Sequence, residues 1–241
     1  MEKTKLVKVI EKYHLSKLIE RGCWTIKDNT VQINFNSPNK DLVGFLTTDI
    51  QLEDADVGIF DTEQLLSLVN ITDETLLLSF NKVGGMPSQL NIEDNNFSLL
   101  YSLSDSTLIE KINSVNKPST PITTIDIQTE FIVNYLRAKK ALTKEERINI
   151  QLGTNDQDEK VACFMLGNHT TYSNSIRFEA YCDFEEQMSN SIAFNANLLK
   201  ELLAVNKNAE TIKLTLWKEG LMKIETTEEG IEVEYYLAGL Q

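Results

Sequence analysis

"VNITDETLLLSF", residues 69–80, and "VNKNAETIKLTL", residues 205–216, share the letter pairs Val-Asn and Glu-Thr at one spacing. Val69, Asn70, Glu74 and Thr75 recur as Val205, Asn206, Glu210 and Thr211, each 136 positions on. In both stretches apolar residues then alternate with others, the period of a half-buried strand. A short helical pattern precedes each copy, "TEQLLSLVN" after Asp61 and "ANLLKELLAV" after Asn195. Asp61 and Asn195 read as helix N-caps, and Gln64 stands in the capping-box position. The same phrase at the same joint, half a chain apart, reads as internal duplication.

Working outward, the first half opens with a helical pattern over residues 4–20, in which Leu6, Val9, Ile10 and Tyr13 recur at helical spacing and Gly22 is the stop. Strand-like runs follow at "CWTIK", "TVQINF", "LVGFLTT" and "DVGIF", then "TLLLSF", "SQLNIE" and "FSLLYSL" after the short helix. Residues 113–125, "NSVNKPSTPITTI", change character. They hold Pro118 and Pro121 among Ser, Thr and Asn, which suits an extended connector. The second half repeats the order, with a helix over 127–142 and strands at "RINIQL", "KVACFML", "SIRFEAY" and "SIAF" before its second helix. "TIKLTL", "LMKIET" and "IEVEYYLAGL" close it. The expected organisation is a domain over 1–112, a connector over 113–125 and a domain over 126–241. The expected class is α+β, two similar domains, each with two helices on antiparallel sheets.

Hydrophobic residues make up 41% of the chain, enough for packed cores. No apolar run approaches the ~18 residues of a membrane span. The charged N-terminus lacks the apolar centre of a signal peptide, so the expected location is the cytoplasm. Cys23, Cys163 and Cys182 lack metal-type spacing and fit idle thiols in a reducing compartment. "NIT" at 70–72 and "NHT" at 168–170 match the glycosylation pattern, which carries little weight without an export signal.

The net charge of −13 argues against a nucleic-acid partner, but the charge is sorted. Phe45 to Glu110 holds twelve acidic residues and one base, Lys82, whereas Met1 to Arg21 holds six bases and three acids. Lys5, Lys8 and Lys12 form one stripe of the first helix. Arg137, Lys140 and Lys144 have the same spacing, opposite the apolar face of Phe131, Tyr135, Ala138 and Leu142. Lys200 and Lys207 lie near the second helix of the second half, while its counterpart in the first half has no base. A solvated helix face accounts for either row alone. Two such rows in an acidic chain point to a duplex backbone, and the lack of interleaved aromatics argues against single strands.

Catalytic chemistry is not visible. His14 and His169 have no spaced Cys or His partner. "GG" at 84–85 lacks the Lys-Ser/Thr of a phosphate loop, and "EDAD" at 53–56 lacks calcium-loop spacing. No catalytic, cofactor-binding or metal-binding residue is expected, and the chain reads as a non-enzyme.

These features together resemble a DNA polymerase sliding clamp. The match is closest to the T-even phage type, in the family that includes proliferating cell nuclear antigen. "DVGIFDTEQLLSLVN" (56–70) has that family's strand-helix pattern, and "VQINFNSPNKDLVGFL" (31–46) lies on its second and third strands without a gap. "YYLAGL" (235–240) resembles the family's "YYLAP" ending, with Gly239 where the family has Pro. The resemblance implies the DNA-clamp fold and a homotrimeric ring around duplex DNA, bound without sequence preference. In such a ring the helices line the hole. It tethers the replicative DNA polymerase, is opened by an ATP-driven clamp loader and needs no cofactor. Late-transcription factors join the implied partners, and a viral origin would place the ring in the host cytoplasm. Subunits would join where Phe97 and Leu99, in 96–103, meet Ile176 and Phe178, in 175–181, of the next chain. A partner-peptide pocket is carried onto Phe35, Tyr236 and Ala238, walled by Pro118, Pro121 and Ile122 with Leu240 beside them. The competing readings are an acidic scaffold of duplicated domains that encircles nothing, and a small hydrolase with a scattered site.

Overall fold

What repeats in the molecule is its topology. The computed structural model describes residues 1–167 and 174–240, so His169 and the "NHT" match lie outside the described residues. The chain divides into unit 1, Met1–Val115 with Glu229–Val233, and unit 2, Asn116–Glu228 with Glu234–Gln241. Unit 1 runs α1 (Lys3–His14), β1 (Gly22–Lys27), β2 (Thr30–Asn36), β3 (Leu42–Asp49), β4 (Ala55–Ile59), α2 (Thr62–Asn70), β5 (Leu77–Val83), β6 (Met86–Glu93) and β7 (Ser98–Ser102). Unit 2 runs β8 (Thr123–Asp126), α3 (Thr129–Ala141), β9 (Arg147–Thr154), β10 (Lys160–Leu166), β11 (Ile176–Tyr181), β12 (Ile192–Asn195), α4 (Ala196–Val205), β13 (Thr211–Trp217), β14 (Leu221–Glu228) and β15 (Ile231–Ala238), the last belonging to it from Glu234 on. In unit 1 the strands are ordered β4-β1-β2-β3 and β5-β6-β7. In unit 2 they are ordered β12-β9-β10-β11 and β8-β13-β14-β15. Each strand of unit 1 therefore has a counterpart at the same place in the order of its own unit. The counterpart of β8 is a single bridge, Glu2 to Thr75, braced by the exchange of backbone hydrogen bonds between Met1 and Leu76.

Letters and structure repeat with different spacings. The N-caps Asp61 and Asn195 are 134 residues apart. Buried Thr62, Leu65 and Val69 of α2 recur at that spacing as buried Ala196, Leu199 and Leu203 of α4. The letter matches at 136 fall two residues out of step in the helices. Val205 is half-buried where Val69 is buried, and Asn206 is buried where Asn70 is exposed. Asp61 accepts from the Gln64 N–H at 2.9 Å, but its own N–H donates to Tyr101 Oη at 3.0 Å, so the capping box is half made. Asn195 caps α4 fully, accepting from the N–H groups of Asn197 and Leu198.

The first helix is shorter than its spacing predicts. It stops at His14 because Leu15, Ser16 and Lys17 take left-handed φ values of 49°, 54° and 79°. The Leu15 N–H closes the last turn onto Glu11 O, while buried Leu15 and Ile19 anchor the segment that follows. Gly22 opens β1 instead of stopping a helix.

In unit 1 α1 packs on α2 and lays Tyr13 on the sheet, 6.4 Å from Trp24 and 5.9 Å from Phe35 between ring centroids. Phe35 lies over Gly44, its cross-strand partner, where a Cβ would stand 2.1 Å from the ring. Gly44→Ala should therefore cost about 1–3 kcal/mol by overpacking, read as a lower urea midpoint at unchanged slope. In unit 2 Phe131, Tyr135, Phe164 and Phe178 form one aromatic cluster, with Phe164 and Phe178 stacked at 5.7 Å. Tyr135 Oη donates to Ala196 O at 2.8 Å and ties α3 to the start of α4.

Candidate functional site

Two of the four helices, α1 and α3, are net basic in an acidic chain. The four α-helices hold eight Lys or Arg and four Asp or Glu, a balance opposite to the chain's net −13. Arg137, Lys140 and Lys144 are exposed at the end of α3 and just beyond it, and Lys207 is exposed after α4. Lys5, Lys8 and Lys200 are half-buried. Lys8 pairs with Glu229 at 2.8 Å and Lys200 with Glu201 at 2.6 Å. Lys12 departs from the expectation, since it is only 1% exposed and cannot reach a phosphate. It stands three residues from buried Val9, so a slightly wider covered arc takes it in. The row on α1 therefore has two members. Periodicity also left out two lysines with other work. Lys3 Nζ donates to Asn70 O and Thr72 O at 2.7 and 2.6 Å, a cation on the C-terminal carbonyls of α2. Lys139 is buried and donates to Thr143 O at 2.9 Å. Burial, and then the charge of Lys200, push its pKa down.

Among the described residues six strands stand at the ends of their sheets, and β7 in unit 1 and β11 in unit 2 are the two that hold the residues expected at a subunit joint. Leu103 N–H bonds Ser88 O, so by alternation Ser98, Leu100 and Ser102 turn their N–H and C=O groups outward. Cys182 N–H bonds Lys160 O, so Arg177, Glu179 and Tyr181 do the same on β11. Leu99, Ile176 and Phe178 have backbones turned into their own sheets, and Phe97 O accepts from Asp94 N–H. Their side chains also differ. Phe97 is 40% exposed, whereas Phe178 belongs first to the aromatic cluster. Leu100, not singled out by sequence, is 52% exposed. Beside β11 opens a cleft of about 910 Å³ whose lining includes Phe131, Phe178 and Tyr181 with Glu130, Lys160 and Glu179.

The turn leading into β7 is organised by Asp94, whose carboxylate accepts from the N–H groups of Asp73, Asn96 and Phe97. Slight burial pushes its pKa up, but these N–H groups outweigh that and hold the carboxyl below its usual range.

The residues expected to form a peptide pocket do not all face one way. Val31, Ile33 and Phe35 share the buried face of β2, and Phe35 packs toward α1 through Tyr13. That removes Phe35 from any outer-face pocket. Strand alternation carries the signal, because Phe35 has the parity of Val31 and Ile33. On the other face of that sheet stand Asn34, whose amide donates to Ile112 O, and half-buried Phe45. In unit 2 the adjacent tyrosines split. Tyr235 points into the core, bonded to Asn206, while Tyr236 stands on the opposite face with Glu234. Tyr236 is nonetheless only 4% exposed. Pro118, Ile122 and Leu240 are half-buried, and Pro121 and Ala238 are exposed.

His14 is buried, its Nε2 lacks a partner among the described residues, and burial pushes its pKa down, so it sits neutral in the core. No helix among the described residues is long and apolar enough to cross a membrane.

No family model and no curated protein sequence matches the chain. Its fold does have solved neighbours. One is PCNA of A. fulgidus, in a structure with the C-terminal region of FEN-1 bound, at a TM-score of 0.76 and 16% identity. Another is PCNA of Entamoeba histolytica, at a TM-score of 0.76 and 15% identity. Each match covers 100% of this chain and 97% of the other. The fold is thus the α+β DNA-clamp fold of PCNA-type sliding clamps.

Proposed function

We propose that the protein is a sliding clamp of the T-even phage type. Three copies close a ring around duplex DNA, and the ring tethers the replicative polymerase without chemistry of its own. The observation that carries this reading is a clamp fold over the whole chain in which the first helix of each unit, α1 and α3, is basic while the remainder is acidic. A ring needs that sorting, with cations toward phosphate and acids away from it. The free edges β7 and β11 support head-to-tail closure, each offering three outward-turned residues to a ladder. The ring implies an ATP-driven loader, and late-transcription factors extend its partners. The FEN-1 segment bound to the A. fulgidus protein makes a peptide from the polymerase the first partner to try.

The test is mass by light scattering together with primer extension on a circular template. A trimer that lengthens products only when a loader supplies it is the expected result. A monomer without effect on product length leaves the acidic scaffold. Within this reading, Lys8→Glu with Arg137→Glu should cut processive synthesis at least about tenfold at ~0.1 M salt while leaving the trimer intact. Unchanged product lengths would take the helix faces off the DNA.

A further inference from the structure

We propose that Lys117 is a latch, closing the connector over Tyr236 in the free protein, and that a partner peptide docks on unit 2 by displacing it. This rests on reading the outer face of unit 2 as the docking surface. Strand alternation places Lys223 and Glu225 of β14 and Glu234 and Tyr236 of β15 on one face of their sheet, away from buried Tyr235. Lys117 reaches that face from the connector. Its Nζ lies 3.1 Å from Tyr236 Oη and 5.5 Å from the ring centroid. Tyr236 Oη in turn donates to Glu234 Oε2 at 2.7 Å. Lys223 holds the other oxygen of Glu234 at 3.5 Å and Glu225 at 2.6 Å. The group is a chain of contacts, from Lys117 through the Tyr236 hydroxyl to the Glu234 carboxylate and on through Lys223 to Glu225. Burial pushes the Glu234 carboxyl up, but the Tyr236 hydroxyl and the charges of Lys223 and Lys117 outweigh it and hold it below the usual range.

The latch is local and weak enough to open. Among the described residues, Lys117 makes the only hydrogen bond of residues 113–121; the chain next enters the sheet at Ile122, whose N–H bonds Leu216 O. One exposed ammonium thus fastens the segment, and a cation over a ring at an exposed site is a modest contact. The aromatic beneath it has the properties of a peptide anchor site, a flat apolar surface with a polar edge already satisfied. An incoming apolar or aromatic side chain would take the place of the Lys117 stem. An acidic residue beside it would then receive the freed ammonium.

The experiment compares wild type with Lys117→Ala in two assays. Limited proteolysis with proteinase K, mapped by mass spectrometry, reads connector release without any ligand. Cleavage within residues 113–121 should rise several-fold, with the rest of unit 2 cut as before. Anisotropy titration with a labelled C-terminal peptide of the cognate polymerase reads displacement, and Lys117→Ala should bind roughly 3–10-fold more tightly. Unchanged cleavage overturns the latch, and equal or weaker peptide binding overturns displacement. If neither protein binds the peptide, the docking reading fails, while the cleavage rates still decide whether Lys117 fastens the connector.

Discussion

If the proposed ring forms, proline at Leu100 is expected to turn its trimer into monomers while leaving the subunit folded. Leu100 lies mid-way along β7 with its N–H turned outward, away from β6. Inside the subunit that N–H has no ladder partner to lose, so proline costs its own sheet little. Across a subunit joint the change removes one donor and puts the ring where the neighbouring strand must lie. Leu100 is 52% exposed, so apolar area goes too. A loss of about 2–3 kcal/mol, or roughly 30–150-fold in the dissociation constant, follows from one buried bond and its unsatisfied acceptor. Proline at Leu99, one residue away, should behave differently. Its N–H points to β6, so that variant should lower the urea midpoint as well as disturb assembly. Sedimentation velocity over a concentration series distinguishes them. A Leu100→Pro protein that remains trimeric at micromolar concentration would put the joint on another surface.

The contrast between Leu99 and Leu100 shows where the sequence was readable. Local letter patterns mark most strands and both cap residues, because a half-buried strand and an N-cap are each set by residues close in the chain, whereas β8 (Thr123–Asp126) falls largely inside the expected connector over 113–125. Which way a backbone N–H points depends on pairing with a distant strand, and nothing local to "FSLLYSL" marks it. The same limit explains Lys12. Its spacing puts it on the row with Lys5 and Lys8, but what covers the last turn of α1 is not local. The early stop of α1 was hidden as well, because leucine at Leu15 is a poor advertisement for a left-handed residue. Phe35 is a different case. Its parity with Val31 and Ile33 in "TVQINF" puts it on the buried face, against the place the family resemblance implies.

The repeated phrase itself yields the other large effect. Asn206→Ala should destabilise the protein by about 2–4 kcal/mol, whereas Asn70→Ala, at the matching letter, should change stability by less than about 0.5 kcal/mol. Asn206 is fully buried at the end of α4. Its Nδ2 donates to Leu202 O at 2.8 Å and to Tyr235 Oη at 3.1 Å, and its Oδ1 accepts from Thr226 Oγ1 at 3.0 Å. One side chain therefore joins a helix end to two strands, and alanine leaves several polar atoms buried without this partner. Asn70 is exposed, and what it contributes is its backbone carbonyl to Lys3, which alanine keeps. Urea denaturation of the two variants at equal protein concentration reads the difference. Equal midpoints would mean that the letters, at a spacing of 136, track the structural repeat after all. Unequal midpoints are what a repeat of 134 in the helices requires. Duplicated domains keep their topology and core positions while individual letters drift, so a recurring phrase can announce the duplication from positions that no longer do the same work.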